Sequence, residues 1–166
     1  MSGMIRAEKK PVDCLARLGK KTLCPIAPVQ YTPEPLAITI DSGAGESVMP
    51  ADCCESYEIM SGEMTGEEYE AAQGGIITNV GQRDIVFDTK EGTTRGFHFE
   101  VGDSINKPLG SVGRITDKGN RVVFEQDCGY IESLKTGERT WFDRRDDVYV
   151  LDALVRPATP SFRRQS

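Results

Sequence analysis

Short apolar stretches with a two-residue period, separated by glycine-containing turns, are the feature that most restricts the fold of this chain. Residues 36–40 read Leu-Ala-Ile-Thr-Ile, which places Leu36, Ile38 and Ile40 on one face of a strand. The 17 glycines and nine prolines among 166 residues interrupt any longer pattern and favour turns between short strands. The sequence therefore predicts an all-β fold, with the strands in a closed barrel or a sandwich.

Two β-hairpins are predicted in the middle of the chain. Residues 69–72 and 76–80 flank Gln73-Gly74-Gly75, and glycines at this place suit a tight turn. Residues 84–88 and 96–101 flank a second glycine-containing turn in the same way. Each hairpin would hold two neighbouring strands of the sheet in antiparallel register.

One short helix is predicted over residues 111–118, where Gly119 would end it as a C-terminal cap. The acidic residues 52–68 are expected to form a loop or a second short helix. Further strands are predicted at residues 15–23, 121–124, 130–134, 139–142 and 148–151.

The charge and the cysteine content limit which binding partners and which cellular compartment we expect for the chain. The net charge is −6, so we expect no nucleic-acid partner, because phosphates attract basic surfaces. No apolar run approaches the roughly 20 residues that span a bilayer, so we expect no membrane partner, and no signal peptide is evident. Five cysteines without a CxxC pair, and a single histidine, argue against a disulfide framework and a zinc site. We expect reduced cysteines, no metal, no cofactor and an intracellular, cytoplasmic location.

The strongest chemical signal lies in residues 38–44, Ile-Thr-Ile-Asp-Ser-Gly-Ala. An apolar strand leads directly to Asp41 and to a turn of small residues, which would expose a carboxylate at the end of a packed strand. Gly43 would let another backbone approach closely. Taken alone, the triplet is also what an ordinary turn contains, with Asp41 and Ser42 capping their own backbone.

The surrounding sequence resembles the retropepsin family of aspartic proteases. Residues 38–44 are similar to its active-site segment, in which an apolar strand precedes Asp, Ser or Thr, Gly and Ala. The turn at Gln73, Gly74 and Gly75 follows about 30 residues later, where this family places its flap. Residues 106–110 precede the predicted helix, as an apolar–apolar–Gly element does in retropepsins. The resemblance implies a closed barrel with a flap hairpin and one short helix.

The similarity is narrower still with the protease region of copia-type LTR retrotransposon polyproteins. Residues 107–115 (Lys-Pro-Leu-Gly-Ser-Val-Gly-Arg-Ile), the Lys118-Gly119 pair and residues 148–152 (Val-Tyr-Val-Leu-Asp) carry this likeness. It extends over residues 36–152, most of the chain. The implied organisation is an N-terminal arm at 1–30, a protease domain at 31–152 with its core at about 36–124 and extra C-terminal strands at 125–152, and a flexible tail at 153–166.

The resemblance implies an aspartic endopeptidase that works as a homodimer and processes a retrotransposon-type polyprotein. Asp41 of each copy would form the catalytic dyad, supported by Ser42, Gly43 and Ala44, and Gln73–Gly75 in the flap would cover the polypeptide substrate. One chain holds a single Asp-Ser-Gly, so a symmetric second copy must supply the other carboxylate. Two adjacent carboxylates share one proton: the ionised one activates water and the protonated one polarises the peptide carbonyl.

Two alternatives to a protease stay open. The chain could be a retropepsin-like dimerisation or peptide-binding module that no longer cleaves. The presence of Asp41 and Gly43 argues against such a loss of catalytic activity. It could also be an unrelated β-barrel binding domain, which a strictly monomeric state would favour. A thiol protease is not expected, because no local pattern brings His98 to Cys53 or Cys54. His98 alternates with two phenylalanines, so we expect it to face solvent from a strand.

Overall fold

The computed structural model describes residues 32–71 and 73–159, and over these residues it contains ten strands and one helix. The all-β prediction with one short helix is confirmed for this part of the chain, whereas the arm at 1–30 and its strand at 15–23 lie outside it. The helix is α1 (Val112–Asp117). The strands are β1 (Glu34–Asp41), β2 (Val48–Pro50), β3 (Glu68–Glu70), β4 (Ile76–Asp88), β5 (Thr94–Gly102), β6 (Leu109–Ser111), β7 (Asn120–Phe124), β8 (Cys128–Ser133), β9 (Arg139–Arg145) and β10 (Val148–Val155).

The strand pairings close part of the sheet into a ring. Neighbouring strands follow the order β3-β4-β5-β2-β6-β1-β10-β9-β8-β7. One further antiparallel pairing joins Leu154 to Asp88 and Val155 to Phe87, at the ends of β10 and β4. A ring of six strands results, formed by β4, β5, β2, β6, β1 and β10. β3 extends from β4, and β9, β8 and β7 extend in turn from β10.

The last of the C-terminal strands, β10, is part of the ring. β10 lies antiparallel to β1 over six residue pairs, from Glu34–Val155 to Thr39–Val150, so it supplies one strand of the ring. It runs to Val155, three residues past the domain boundary expected at 152. Leu151, Ala153 and Val155 alternate toward the core, which explains the extension.

The core consists mainly of the inward faces of the ring strands, and the helix, β9 and the loop after β2 each add one residue to it. In β1, the three residues predicted to share a face are all buried. Ile115 of α1 and Phe142 of β9 pack into the same cluster. The largest side chains with almost no exposed surface are Phe87, Phe99, Phe142, Ile38, Met49, Ile85 and Leu151.

Gly129 of β8 has no room for a side chain, so G129A should destabilise the protein. A Cβ at this position would lie 2.3 Å from Cε2 of Phe142 and 2.4 Å from the carbonyl oxygen of Val123. Because one obstacle is backbone, we expect a loss of about 2–3 kcal/mol in the free energy of unfolding, measured by urea denaturation. The matched variant G113A in α1 has its nearest neighbour at 3.7 Å and should be neutral or slightly stabilising. Equal stability of the two variants would contradict this packing.

Candidate functional site

Asp41 is the last residue of β1, where a buried strand reaches a turn of small residues. Its neighbour Ile40 is 4% exposed, whereas Asp41 is half-buried and Ser42 and Gly43 are exposed. β1 is held here by parallel pairing with β6, which sets Asp41 opposite Ser111. The fold therefore presents the carboxylate at the surface on a rigidly packed strand.

The turn after Asp41 folds back onto its carboxylate. The backbone N–H of Gly43 donates to Oδ1 of Asp41 at 2.8 Å. A Cβ at position 43 would lie 3.3 Å from the same oxygen, so glycine gives this contact its clearance. A hydrogen bond from a backbone N–H to a carboxylate oxygen holds the side chain in one orientation.

Ser111 ties this turn to the start of the helix. Its hydroxyl donates to the carbonyl oxygen of Ala44 at 2.7 Å, and it accepts the N–H of Arg114 at 3.2 Å as the N-cap of α1. The N–H of Ser111 donates to Oγ of Ser47 at 2.9 Å. Arg114 also forms an ion pair with Glu46, two residues after Ala44. Residues 41–47 are thus anchored to the β6–α1 junction, a connection that the sequence analysis did not predict.

Loss of this anchor should loosen the turn, so we expect S111A to lower stability by about 1–2 kcal/mol. The substitution removes both the helix N-cap and the donor to Ala44 from a fully buried position. Amide hydrogen exchange at Gly43 should accelerate along with the loss in urea stability. The exposed Ser61, changed to alanine, serves as the control and should leave both measurements unchanged. Unchanged exchange at Gly43 in S111A would show that Ser111 does not hold the turn.

The hairpin predicted around Gln73-Gly74-Gly75 is present. β3 and the start of β4 pair antiparallel, with Glu70 opposite Ile76. Gly74 and Gly75 both have positive φ, of 82° and 102°, which explains the need for glycine in this turn. Ile76 beside the turn is 63% exposed. Within residues 32–71 and 73–159, no hydrogen bond joins this turn to residues 41–44.

His98 faces solvent in part, as predicted, but two carboxylates that the sequence analysis did not connect with it bind both of its ring nitrogens. Nδ1 lies 2.7 Å from Oδ1 of Asp84, and Nε2 is bonded to Oε2 of Glu100. Glu100 is buried and also accepts Nδ2 of Asn79 at 2.9 Å. The pairing register of the second predicted hairpin could have revealed these contacts. It sets Asp84 opposite His98, and Glu100 lies two residues further along the same face.

Protonation of His98 should stabilise the folded chain. Partial burial lowers the pKa of His98, but the hydrogen bonds and charges of Asp84 and Glu100 outweigh it and raise the pKa above its ordinary 6.5. The folded state therefore holds the proton more tightly, so its stabilising effect is complete below pH 6.5 and is lost as the pH rises through the raised pKa. We expect the urea midpoint to fall from pH 6 to pH 8 in the wild type and less in H98Q. Parallel pH profiles for the two proteins would contradict the coupling.

The cysteines of the described segments do not form a nucleophilic site. Burial, followed by the charge of Glu34, raises the pKa of the Cys54 thiol to about 12, so this thiol stays protonated at neutral pH. Burial also raises the pKa of Cys53. His98 is bound to carboxylates elsewhere and not to either thiol. Neither Cys53 nor Cys54 therefore has the histidine partner that would activate it as a nucleophile.

A cavity of about 900 Å³ in the described part of the chain borders Glu46 and Ser47 but not residues 41–44. Over the same residues, no helix has the length and apolar character needed to cross a membrane.

Comparisons of the chain with family models, with curated proteins and with solved structures found no match.

Proposed function

We propose that the chain is an aspartic endopeptidase that assembles its active site across a homodimer. The observation that carries this proposal is the presentation of Asp41 at the end of β1, with its carboxylate oriented by the N–H of Gly43 at 2.8 Å. The anchored turn keeps that carboxylate at the surface in one orientation. A catalytic group needs this combination of accessibility and fixed geometry.

A dimer follows from the number of carboxylates that the reaction uses. Peptide hydrolysis by this route needs two of them, and the Asp-Ser-Gly turn occurs once in the chain. A two-fold axis passing beside the exposed Ser42 would bring two copies of Asp41 together. A site completed in this way would be open in a single chain.

The two carboxylates would divide the chemistry between them. With one proton shared by the pair, the ionised carboxylate takes a proton from a bound water as the water oxygen attacks the peptide carbonyl carbon. The protonated carboxyl group donates to the carbonyl oxygen. Collapse of the tetrahedral intermediate breaks the C–N bond, and the amine leaves with a proton from the dyad.

The hairpin of β3 and β4 is suited to cover the substrate. Its turn is built from Gly74 and Gly75 and ends at the exposed Ile76, which leaves an apolar side chain available for an extended polypeptide. Closure of such a hairpin over the dyad would exclude bulk water. Together with the sequence resemblance, this arrangement favours a polyprotein as the natural substrate class.

The test is cleavage of an unbiased peptide library by the chain, read by mass spectrometry. At low concentration the rate should rise with the square of the chain concentration, because only the dimer is active. Two copies joined by a long Gly/Ser linker should remove that dependence, since the second copy is then always present. A linked dimer that cleaves nothing between pH 4 and pH 8 would overturn the proposal and favour the module that binds without cleaving.

A further inference from the structure

β5 has an unpaired edge along part of its length. β4 pairs with β5 throughout, but on the other side β2 pairs only with residues 100–102. The N–H of Glu100 donates to the carbonyl oxygen of Ser47 at 2.8 Å, so the backbone groups of Glu100 point toward β2. Since these directions alternate along a strand, the N–H and C=O groups of Gly96 and His98 point to the same side. Among the described residues none of these four groups has a hydrogen-bond partner.

The cavity of about 900 Å³ opens along this edge. Phe97 of β5 lies on one side, while Ile115 of α1 and Ile131 of β8 lie among the residues across from it. Volumes of this size accommodate small ligands and short peptide segments. An unpaired edge beside an apolar-lined cleft is the arrangement by which extended peptides join a sheet, with backbone hydrogen bonds giving affinity and side-chain contacts giving specificity.

The charges beside the edge indicate which side chains such a peptide carries. His98 lies between Asp84 and Glu100, so this cluster contains two carboxyl groups for one imidazole. The side chain of Asp84 is 72% exposed and lines the cleft. Residues of an added strand alternate between faces, so those on the His98 face meet these carboxylates. Those on the other face meet Phe97 and Arg95, whose guanidinium is already paired with Glu138 at 3.0 Å.

We infer that the edge of β5 at Gly96 and His98 binds an extended polypeptide segment in which basic and apolar residues alternate. Strand addition over residues 94–98 accommodates about five residues of the partner, at about 3.3 Å per residue. Basic side chains lie beside Asp84, and apolar side chains lie between Phe97 and Ile115. This site does not depend on Asp41, so its test is separate from that of the proposed protease activity.

The probe is an acetylated hexapeptide of alternating valine and lysine, titrated into the ¹⁵N-labelled full chain. We expect the amide signals of Gly96 and His98 to shift most and their hydrogen exchange to slow. Replacing lysine by glutamate should weaken binding about tenfold or more. In an added strand every second N–H points to the edge, so N-methylation of either the lysines or the valines should abolish binding, while the other methylated peptide still binds.

Two variants complete the test. G96P removes one edge N–H and should weaken binding about tenfold, whereas D41N should bind as the wild type does. The inference is overturned if the shifts centre on residues 41–44 or 73–75, if both methylated peptides bind equally, or if no peptide binds. If the chain binds the peptide but shows no protease activity, the β5 site is supported and only the proposed catalysis is contradicted.

Discussion

If the proposed function holds, replacing Asp41 by asparagine should abolish peptide cleavage while leaving the fold and the proposed dimer intact. The amide oxygen of the new side chain can still accept the N–H of Gly43, which the carboxylate accepts at 2.8 Å, so the turn is retained. The amide neither takes a proton from water nor holds the shared proton. We expect kcat/KM for library peptides to fall by at least about a thousandfold, measured by mass spectrometry, with an unchanged sedimentation profile.

A matched carboxylate and a mixing experiment make this prediction specific. Asp52 is exposed in the turn after β2, so D52N should retain full activity. Pre-equilibration of wild type with an equal amount of D41N should reduce the wild-type rate by about half, because half of the wild-type chains then pair with an inactive copy. Activity retained by D41N would overturn the mechanism. A rate that mixing does not change would overturn the shared site but not the role of Asp41 within one chain.

Elements that depend on neighbouring residues could be predicted from the sequence. The alternation of Leu36, Ile38 and Ile40 fixed which face of β1 is buried, and it required no knowledge of the partners of that strand. The turn at Gly74 and Gly75 was likewise readable, because positive φ values are a local demand for glycine. The same holds for the candidate site as far as Asp41 and Gly43, which contact each other across two residues.

Contacts between distant residues were not predictable in this way. The ring closes through pairing of Val155 with Phe87, and nothing local in either strand specifies that partner. The anchoring of Ala44 by Ser111 spans 67 residues. Sequence periodicity assigns faces and turns, but it does not assign which strands become neighbours, so the support of the candidate site emerged only from the topology.

Arg83 is the clearest example of a residue whose role depends on contacts with distant parts of the chain. The sequence analysis gave it no role, but it is buried in the structure, with 5% exposure. Nε donates to the carbonyl oxygen of Tyr57 at 2.8 Å. Nη1 donates to those of Ala51 and Cys53 at 2.9 Å and 2.8 Å. One guanidinium on β4 thus satisfies three carbonyl groups of the loop that follows β2, and no carboxylate pairs with it in the described part of the chain.

We therefore expect R83M to destabilise the protein by about 3 kcal/mol or more, because it removes three charge-assisted hydrogen bonds and leaves their acceptors without donors. Urea denaturation measures the loss, and limited proteolysis should show new cleavage within residues 51–57. Arg95 on β5 provides the matched control: it is half-buried and pairs with Glu138 at 3.0 Å, so R95M should cost no more than about 1 kcal/mol. Similar losses in both variants would mean that the three carbonyl contacts of Arg83 contribute no more to stability than the surface ion pair of Arg95 does. A large loss confined to R83M would show that one buried cation on β4 holds the loop between β2 and β3.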